Sequence, residues 1–240
     1  MAQLNIGVIG AGYIGNVHAK NLARDDRVRV AAMYDINPDR AAAGAREHGA
    51  RAVQSVDALI QVVDAVYVTT PNTRPVEMTL TAIAAGRHIV CEKPLATSLE
   101  EARRVWEASR QSRSVFQVGH NRRFAPVYQE VKRRLTQEGW QPHSVHSKMN
   151  RGELLQPHWV NDASITGGYL YETPVRLFDR LRWLFGEVES VMGYASSPEY
   201  AEMDGFSMLL RFRSGLHATL ATAADASWHF PFERLGIFCH

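Results

Sequence analysis

Through the first half of the chain, short unbroken apolar runs alternate with longer stretches in which apolar residues recur at helical spacing. Residues 6–9, Ile-Gly-Val-Ile, contain no polar position, the pattern of a strand buried on both faces of a parallel sheet. Ile14, Val17 and Leu22 then place an apolar stripe on a helix. Residues 28–34 predict a second strand, and Asn37-Pro38 opens another helix with Pro38 at its favoured first position. A short strand at 52–53, a helix over 56–62 and a buried strand over 64–70 follow, the last ending at Pro71. Next come a helix over 76–85 closed by Gly86, a strand over 88–91, a helix over 99–112 capped by Ser98, and a strand over 115–118. Helices alternating with short apolar strands predict an α/β, doubly wound parallel sheet with right-handed crossovers.

The pattern changes near Phe124. Residues 127–135 predict a helix and 141–150 a strand. A polar and aromatic loop, 151–166, leads to Gly167-Gly168, and a helix over 171–185 ends at Gly186. Strand-like segments follow at 188–195, 207–212, 217–223 and 233–239, with Arg213-Ser214-Gly215 as a hairpin turn. The expectation is two domains, residues 1–124 and an α+β domain over 125–240 with a mainly antiparallel, open sheet.

The first strand ends in chemistry. Gly10, Gly12 and Gly15 follow it in the spacing G-x-G-x-x-G, and Asp35 closes the second strand 20 residues after Gly15. Gly10 permits a tight turn, Gly12 lets a pyrophosphate approach the backbone, and Gly15 lets the helix pack close to the strand. The helix N-terminus offers unpaired N–H groups and partial positive charge to phosphates. Asp35 can accept hydrogen bonds from ribose hydroxyls and repels a 2′-phosphate, so NAD is expected over NADP. Arg40 lies close enough to Asp35 in sequence to meet a 2′-phosphate, and is read instead as a solvated helix residue. The motif thus predicts a dinucleotide-binding Rossmann domain.

Composition adds boundaries. The 240 residues are 45% hydrophobic and 22% charged, ordinary for a globular chain, and the net charge of +2 makes no case for nucleic acid. The two cysteines form no C-x-x-C pair, so no zinc site or disulfide framework is expected, and no metal. No signal-peptide pattern or run of membrane-spanning length is visible, and a cytoplasmic location is expected. His18, His120, His143, His146 and His158 show no metal-ligand spacing and read as surface or loop residues.

In such sheets ligands bind beyond the carboxyl ends of the strands. Three such ends carry Thr69-Thr70-Pro71-Asn72, Glu92-Lys93-Pro94, and Gly119-His120-Asn121-Arg122-Arg123-Phe124. With the VIGAGYIG turn, AGRHIVCEKPLA, and GGYLYETPVRLFDRLRWLFG, they make the chain resemble the Gfo/Idh/MocA oxidoreductases, which include inositol and sugar dehydrogenases. The resemblance implies a Rossmann domain, a second domain with an open sheet that forms homo-oligomers, and reversible NAD(P)-linked oxidation of a polyol or sugar hydroxyl. It assigns Gly10, Gly12, Tyr13, Ile14, Gly15, Asp35, Thr70, Pro71, Asn72, Glu92, Lys93 and Asn121 to the cofactor. Lys93, Arg123, Arg176 and Asp179 are read as substrate-binding, with Trp159 added from its place in the loop before Gly167-Gly168, and Lys93, Glu172 and Arg176 are read as the catalytic group.

Two departures from the family pattern stand out. Where the family commonly shows D-x-G-x-H-x-x-D with the histidine as proton acceptor, this chain has Glu172, Pro174, Arg176 and Asp179. A guanidinium stays protonated and cannot accept a proton. Pro75 stands where the family often has a histidine. Three outcomes follow. Lys93 serves as base, helped by a nearby permanent cation that disfavours its charged form. Alternatively, Arg176 grips a substrate carboxylate, or the protein is a non-catalytic NAD-binding sensor or partner subunit. The resemblance also breaks off inside the second domain, so a shortened sheet with an unpaired, chain-recruiting edge is expected.

Overall fold

The computed structural model describes residues 3–150, 162–198, 201–224 and 232–239. The chain divides into two compact units, Met1–Gly119 and His120–His240.

The first unit is built on β1 (Leu4–Ile9), β2 (Val28–Tyr34), β3 (Arg51–Ala52), β4 (Ala65–Val68), β5 (His88–Cys91) and β6 (Phe116–Val118). These strands pair in parallel in the order β3-β2-β1-β4-β5-β6. The crossovers carry α1 (Tyr13–Leu22), α2 (Pro38–His48), α3 (Val56–Ile60), α4 (Pro75–Ala84) and α5 (Leu99–Gln111). Adjacent residues of β1 feed opposite layers: Val8 packs with Ala19, Met33 and Ala45, while Ile9 packs with Leu59, Val66, Val68 and Ile89. Burial on both faces is why this strand reads as a continuous apolar run. Asn37 caps α2 through the amides of Asp39 and Arg40, and Ser98 caps α5 through Glu101. The strand order reverses between β1 and β4, which opens a crevice at their carboxyl ends.

The second unit begins with a 3-10 turn, Asn121–Phe124, and α6 (Pro126–Gln137), followed by β7 (Pro142–Met149), α7 (Ala163–Thr166), α8 (Tyr169–Glu172) and α9 (Val175–Phe185). Four more strands complete it: β8 (Val188–Ser196), β9 (Gly205–Phe212), β10 (His217–Ala223) and β11 (Glu233–Cys239). The sheet order is β11-β7-β10-β9-β8, antiparallel throughout except for β7 and β10. One face carries Val145, Leu210, Phe212, Ala218 and Leu220 and packs on Leu177 and Leu181 of α9.

The single helix expected over residues 171–185 is instead α8 and α9, parted at Thr173-Pro174. Pro174 has no N–H to give the Leu170 carbonyl, so the backbone ladder breaks there. Among the described residues no helix is long and apolar enough to cross a membrane.

Candidate active site

The glycine turn divides its labour as its spacing suggests. Gly10 has φ +100°, where a side chain is strained, and a Cβ there would lie 2.8 Å from the Thr69 carbonyl oxygen. A Cβ on Gly15 would lie 2.0 Å from the Gly10 carbonyl oxygen, so only glycine lets α1 sit against the turn. A Cβ on Gly12 would meet nothing within 4 Å. That open space lies at the α1 N-terminus, which has no side-chain cap. Its first-turn amides are therefore available to an anion.

The turn is held from three directions. The Asp35 carboxylate accepts from the Ala11 amide at 2.9 Å through Oδ2 and from the Asn37 amide at 2.8 Å through Oδ1. Each oxygen keeps a lone pair for a ribose hydroxyl. Arg40 Nε stands 3.8 Å from Asp35 Oδ1, so this half-exposed arginine is paired with the acid rather than merely solvated. Asn16 Nδ2 donates to the carbonyls of Ala11 and Gly12, both at 2.9 Å, and His48 Nε2 meets Asn16 Oδ1 at 3.0 Å. Thr69 Oγ1 donates to the Gly10 carbonyl at 2.7 Å. Next to it, Thr70 Oγ1 is buried with no hydrogen-bond partner among the described residues, and Asn72 is buried. Tyr13 and Ile14 are exposed on the first turn of α1. An uncapped helix end, an empty approach to Gly12 and a positioned acid fit a dinucleotide.

Glu92 and Lys93 leave the carboxyl end of β5, and the Lys93–Pro94 peptide is cis. Lys93 is 8% exposed. Glu92 Oε2 accepts from the Lys93 amide at 3.1 Å, and Glu92 Oε1 meets His18 Nε2 at 2.8 Å. A Cβ on Gly119 would come within 3.2 Å of the Glu92 carboxylate, so the residue that follows β6 leaves room for it. Burial pushes the Glu92 carboxyl upward, but the His18 hydrogen bond and charge and the Lys93 amide outweigh it, and the group lies below its ordinary range. Cys91, beside it, is pushed up to about 12 by burial, so its thiol stays protonated and inert.

In the second unit, Arg123 grips Asp179 with both arms of its fork, Nε to Oδ2 at 2.8 Å and Nη2 to Oδ1 at 2.5 Å. That hydrogen bond raises the arginine above its ordinary value. His120 Nε2 lies 3.7 Å from the same Asp179 oxygen. Glu172 is buried at the end of α8, and Arg176, the second residue of α9, donates through Nη1 to the Glu172 carbonyl oxygen at 3.2 Å. Asn121 opens the 3-10 turn. Two side chains expected to meet substrate, Arg123 and Asp179, therefore bind each other. Trp159 lies outside the described residues.

Sequence reasoning missed the histidines. His18 is half-buried against Glu92 and His120 beside Asp179, rather than on a free surface. His18 had one visible signal: it sits three residues past Gly15 on α1, the helix that Gly15 draws onto the turn.

A sheet in the order 3-2-1-4-5-6 with a glycine turn and a ribose acid defines a dinucleotide-binding protein of the Rossmann type. Residues 4–120 match the Gfo/Idh/MocA oxidoreductase family, NAD-binding Rossmann fold, and residues 128–239 match the Gfo/Idh/MocA C-terminal domain. The chain belongs to this family. It is similar to inositol 2-dehydrogenase 2 of Saccharopolyspora erythraea, 40% identical over 81% of this chain and 57% of the relative. Among solved structures, UDP-N-acetylglucosamine 3-dehydrogenase from Acidithiobacillus ferrooxidans superposes with a TM-score of 0.85 at 28% identity, over 99% of this chain and 74% of that one. Levoglucosan dehydrogenase in complex with NADH and L-sorbose superposes at 0.90 with 25% identity, over 100% and 71%. The chain spans little more than half the length of the inositol dehydrogenases it matches, 57% and 55% for two of them.

Proposed function

We propose that this protein is an NAD-dependent dehydrogenase acting on a secondary hydroxyl of a cyclic polyol or sugar. The observation that carries the reading is the Glu92–Lys93 pair. A half-buried carboxylate fixes the backbone of a buried lysine at a strand end of the sheet whose first turn fits the cofactor. NAD bound there would supply the hydride acceptor for the substrate's carbinol carbon. Lys93 Nζ receives the hydroxyl proton, so the alcohol leaves as a ketone with a proton released to solvent and the cofactor reduced. Asp35 would hold the adenosine ribose and favour NAD over NADP, and the first-turn amides of α1 would hold the pyrophosphate.

In the second unit, Arg176 and Arg123 are assigned to substrate orientation, Arg176 as a fixed cation where the family's proton acceptor stands. Asp179 sets the Arg123 fork, and Glu172 supports Arg176 through its carbonyl. The relatives named for inositol, UDP-N-acetylglucosamine and levoglucosan dehydrogenation support the substrate class. The open sheet of the second unit supports assembly of like chains, because Met192, Tyr194, Leu209 and Phe238 are exposed on the face turned away from α9.

The test is a screen of inositols, aldoses and uronic acids with NAD, following reduced cofactor by absorbance. Turnover of one class is expected, and is abolished in Lys93→Ala while NAD still binds. Cofactor binding without turnover of any of these compounds overturns the dehydrogenase reading.

A further inference from the structure

We propose that His18 is the positioning residue for the Glu92–Lys93 pair, so that α1 serves the reacting end of the site as well as the phosphates. The role rests on the dehydrogenase reading for its purpose, but its geometry stands by itself. His18 lies on α1 between the glycine turn and β4, and its ring packs on Tyr67 with centroids 5.1 Å apart and planes at 51°. That contact restricts the ring and aims Nε2 at Glu92 Oε1, 2.8 Å away. An ionised carboxylate only accepts, so Nε2 is the donor in this bond. The second carboxylate oxygen is then turned to the Lys93 amide at 3.1 Å, and Gly119 closes the remaining side. A half-buried carboxylate with one oxygen on an imidazole and the other on the following residue's own amide has little freedom left. Lys93 inherits that restraint through its backbone.

Without the His18 donor, Glu92 loses the bond that outweighs its burial and is free to turn away from the Lys93 amide. Glutamine can place its amide nitrogen close to the position of a histidine Nε2 and donate from there, whereas leucine keeps bulk and loses the donor. The contrast between His18→Leu and His18→Gln thus separates positioning from packing against Tyr67.

The experiment uses the full chain and has two readouts. The first needs no turnover: the proton shift of the Lys93 amide, and titration of the Glu92 side-chain carboxyl carbon, by nuclear magnetic resonance. In His18→Leu the amide moves upfield and the carboxyl titrates at higher pH than in the parent protein, while His18→Gln keeps the amide near its original position. The second is steady-state kinetics on whichever polyol or sugar turns over. In His18→Leu, kcat falls about ten- to a hundredfold through misplacement of the proton-handling group, while KM for NAD stays within about twofold. His18→Gln recovers most of kcat. A His18→Leu protein whose Lys93 amide and Glu92 titration match the parent overturns the proposal. So does a fall in kcat that glutamine fails to rescue. A parent protein that turns over nothing overturns the dehydrogenase reading instead, and the resonance data still decide the role of His18.

Discussion

Gly12 and Gly15 are three residues apart, yet they do different jobs. At Gly15 an added methyl would collide with backbone at 2.0 Å, so Gly15→Ala must push α1 off the turn. The expected loss is at least about 1–3 kcal/mol, the usual cost of forcing a methyl into packed surroundings, read as a lower thermal midpoint. At Gly12 the same methyl enters open space. Gly12→Ala should therefore leave the thermal midpoint nearly unchanged while weakening NAD by at least about tenfold, or about 1.4 kcal/mol, because the methyl stands where the pyrophosphate approaches. Calorimetric titration of both variants checks the pair. Equal NAD affinity in Gly12→Ala and the parent would place the phosphates elsewhere. The residues of this turn were legible because the demand is local: a positive φ, a close contact and an open approach each call for the absence of a side chain. The clamp that Asn16 and His48 place on the turn was not legible, since 32 residues separate the two.

The elements of the second unit depend on a buried charge. Arg180 of α9 is 0% exposed, paired with Glu233 of β11, hydrogen-bonded to Ser147 of β7 at 2.9 Å and seated 4.6 Å from the centroid of the Tyr128 ring of α6. Arg122 also bonds Glu233, at 2.9 Å, and the Tyr128 hydroxyl donates to it at 2.8 Å. One carboxylate thus joins the 3-10 turn, α6, α9 and the edge strand β11. Removing it leaves a desolvated guanidinium, so Glu233→Leu should cost about 3–5 kcal/mol in urea unfolding of the second unit. Burial raises the Glu233 carboxyl, but Arg122, Arg180 and Tyr128 together hold it below the ordinary carboxylate range. Because its folded value is depressed, its contribution is complete above the unfolded carboxylate value and is lost as pH falls through the folded one. The urea midpoint should therefore fall on acidification more steeply in the parent than in Glu233→Gln. Equal slopes would show that this carboxylate does not govern acid stability. Helix α9 itself was visible from its apolar stripe, but Arg180 looked like any polar position on it, because its partner lies 53 residues away. The break at Pro174 had a local cause and was readable, yet the apolar pattern running past it suggested one continuous helix.

At the scale of the whole molecule, the two faces of the second sheet differ sharply. The face toward α9 is closed by Leu177 and Leu181. On the opposite face Tyr194 is 85% exposed and Met192 70%. Large apolar side chains exposed on an edge strand, here β8, make a surface that other chains bury. The proposed assembly predicts that Met192→Glu with Tyr194→Glu, a pair of charges on that face, shifts the protein to a smaller species in sedimentation while cofactor affinity is retained. Unchanged sedimentation would remove this face from the assembly.

Sequence alone determined the elements and the class. Strand and helix periods, the glycine spacing and the acid after β2 are properties of a few neighbouring residues, and their physics acts over one turn or one strand. The doubly wound parallel sheet followed from the alternation and its right-handed crossovers, while the strand order β3-β2-β1-β4-β5-β6 came only with the structure. Tertiary structure decided which polar side chains meet. Glu92 gained His18 from 74 residues away, Asp179 gained Arg123 from 56 away, and Arg180 gained a buried carboxylate. Such pairs leave no periodic trace, because burying a charge requires a partner in space and places no constraint on how far along the chain that partner lies.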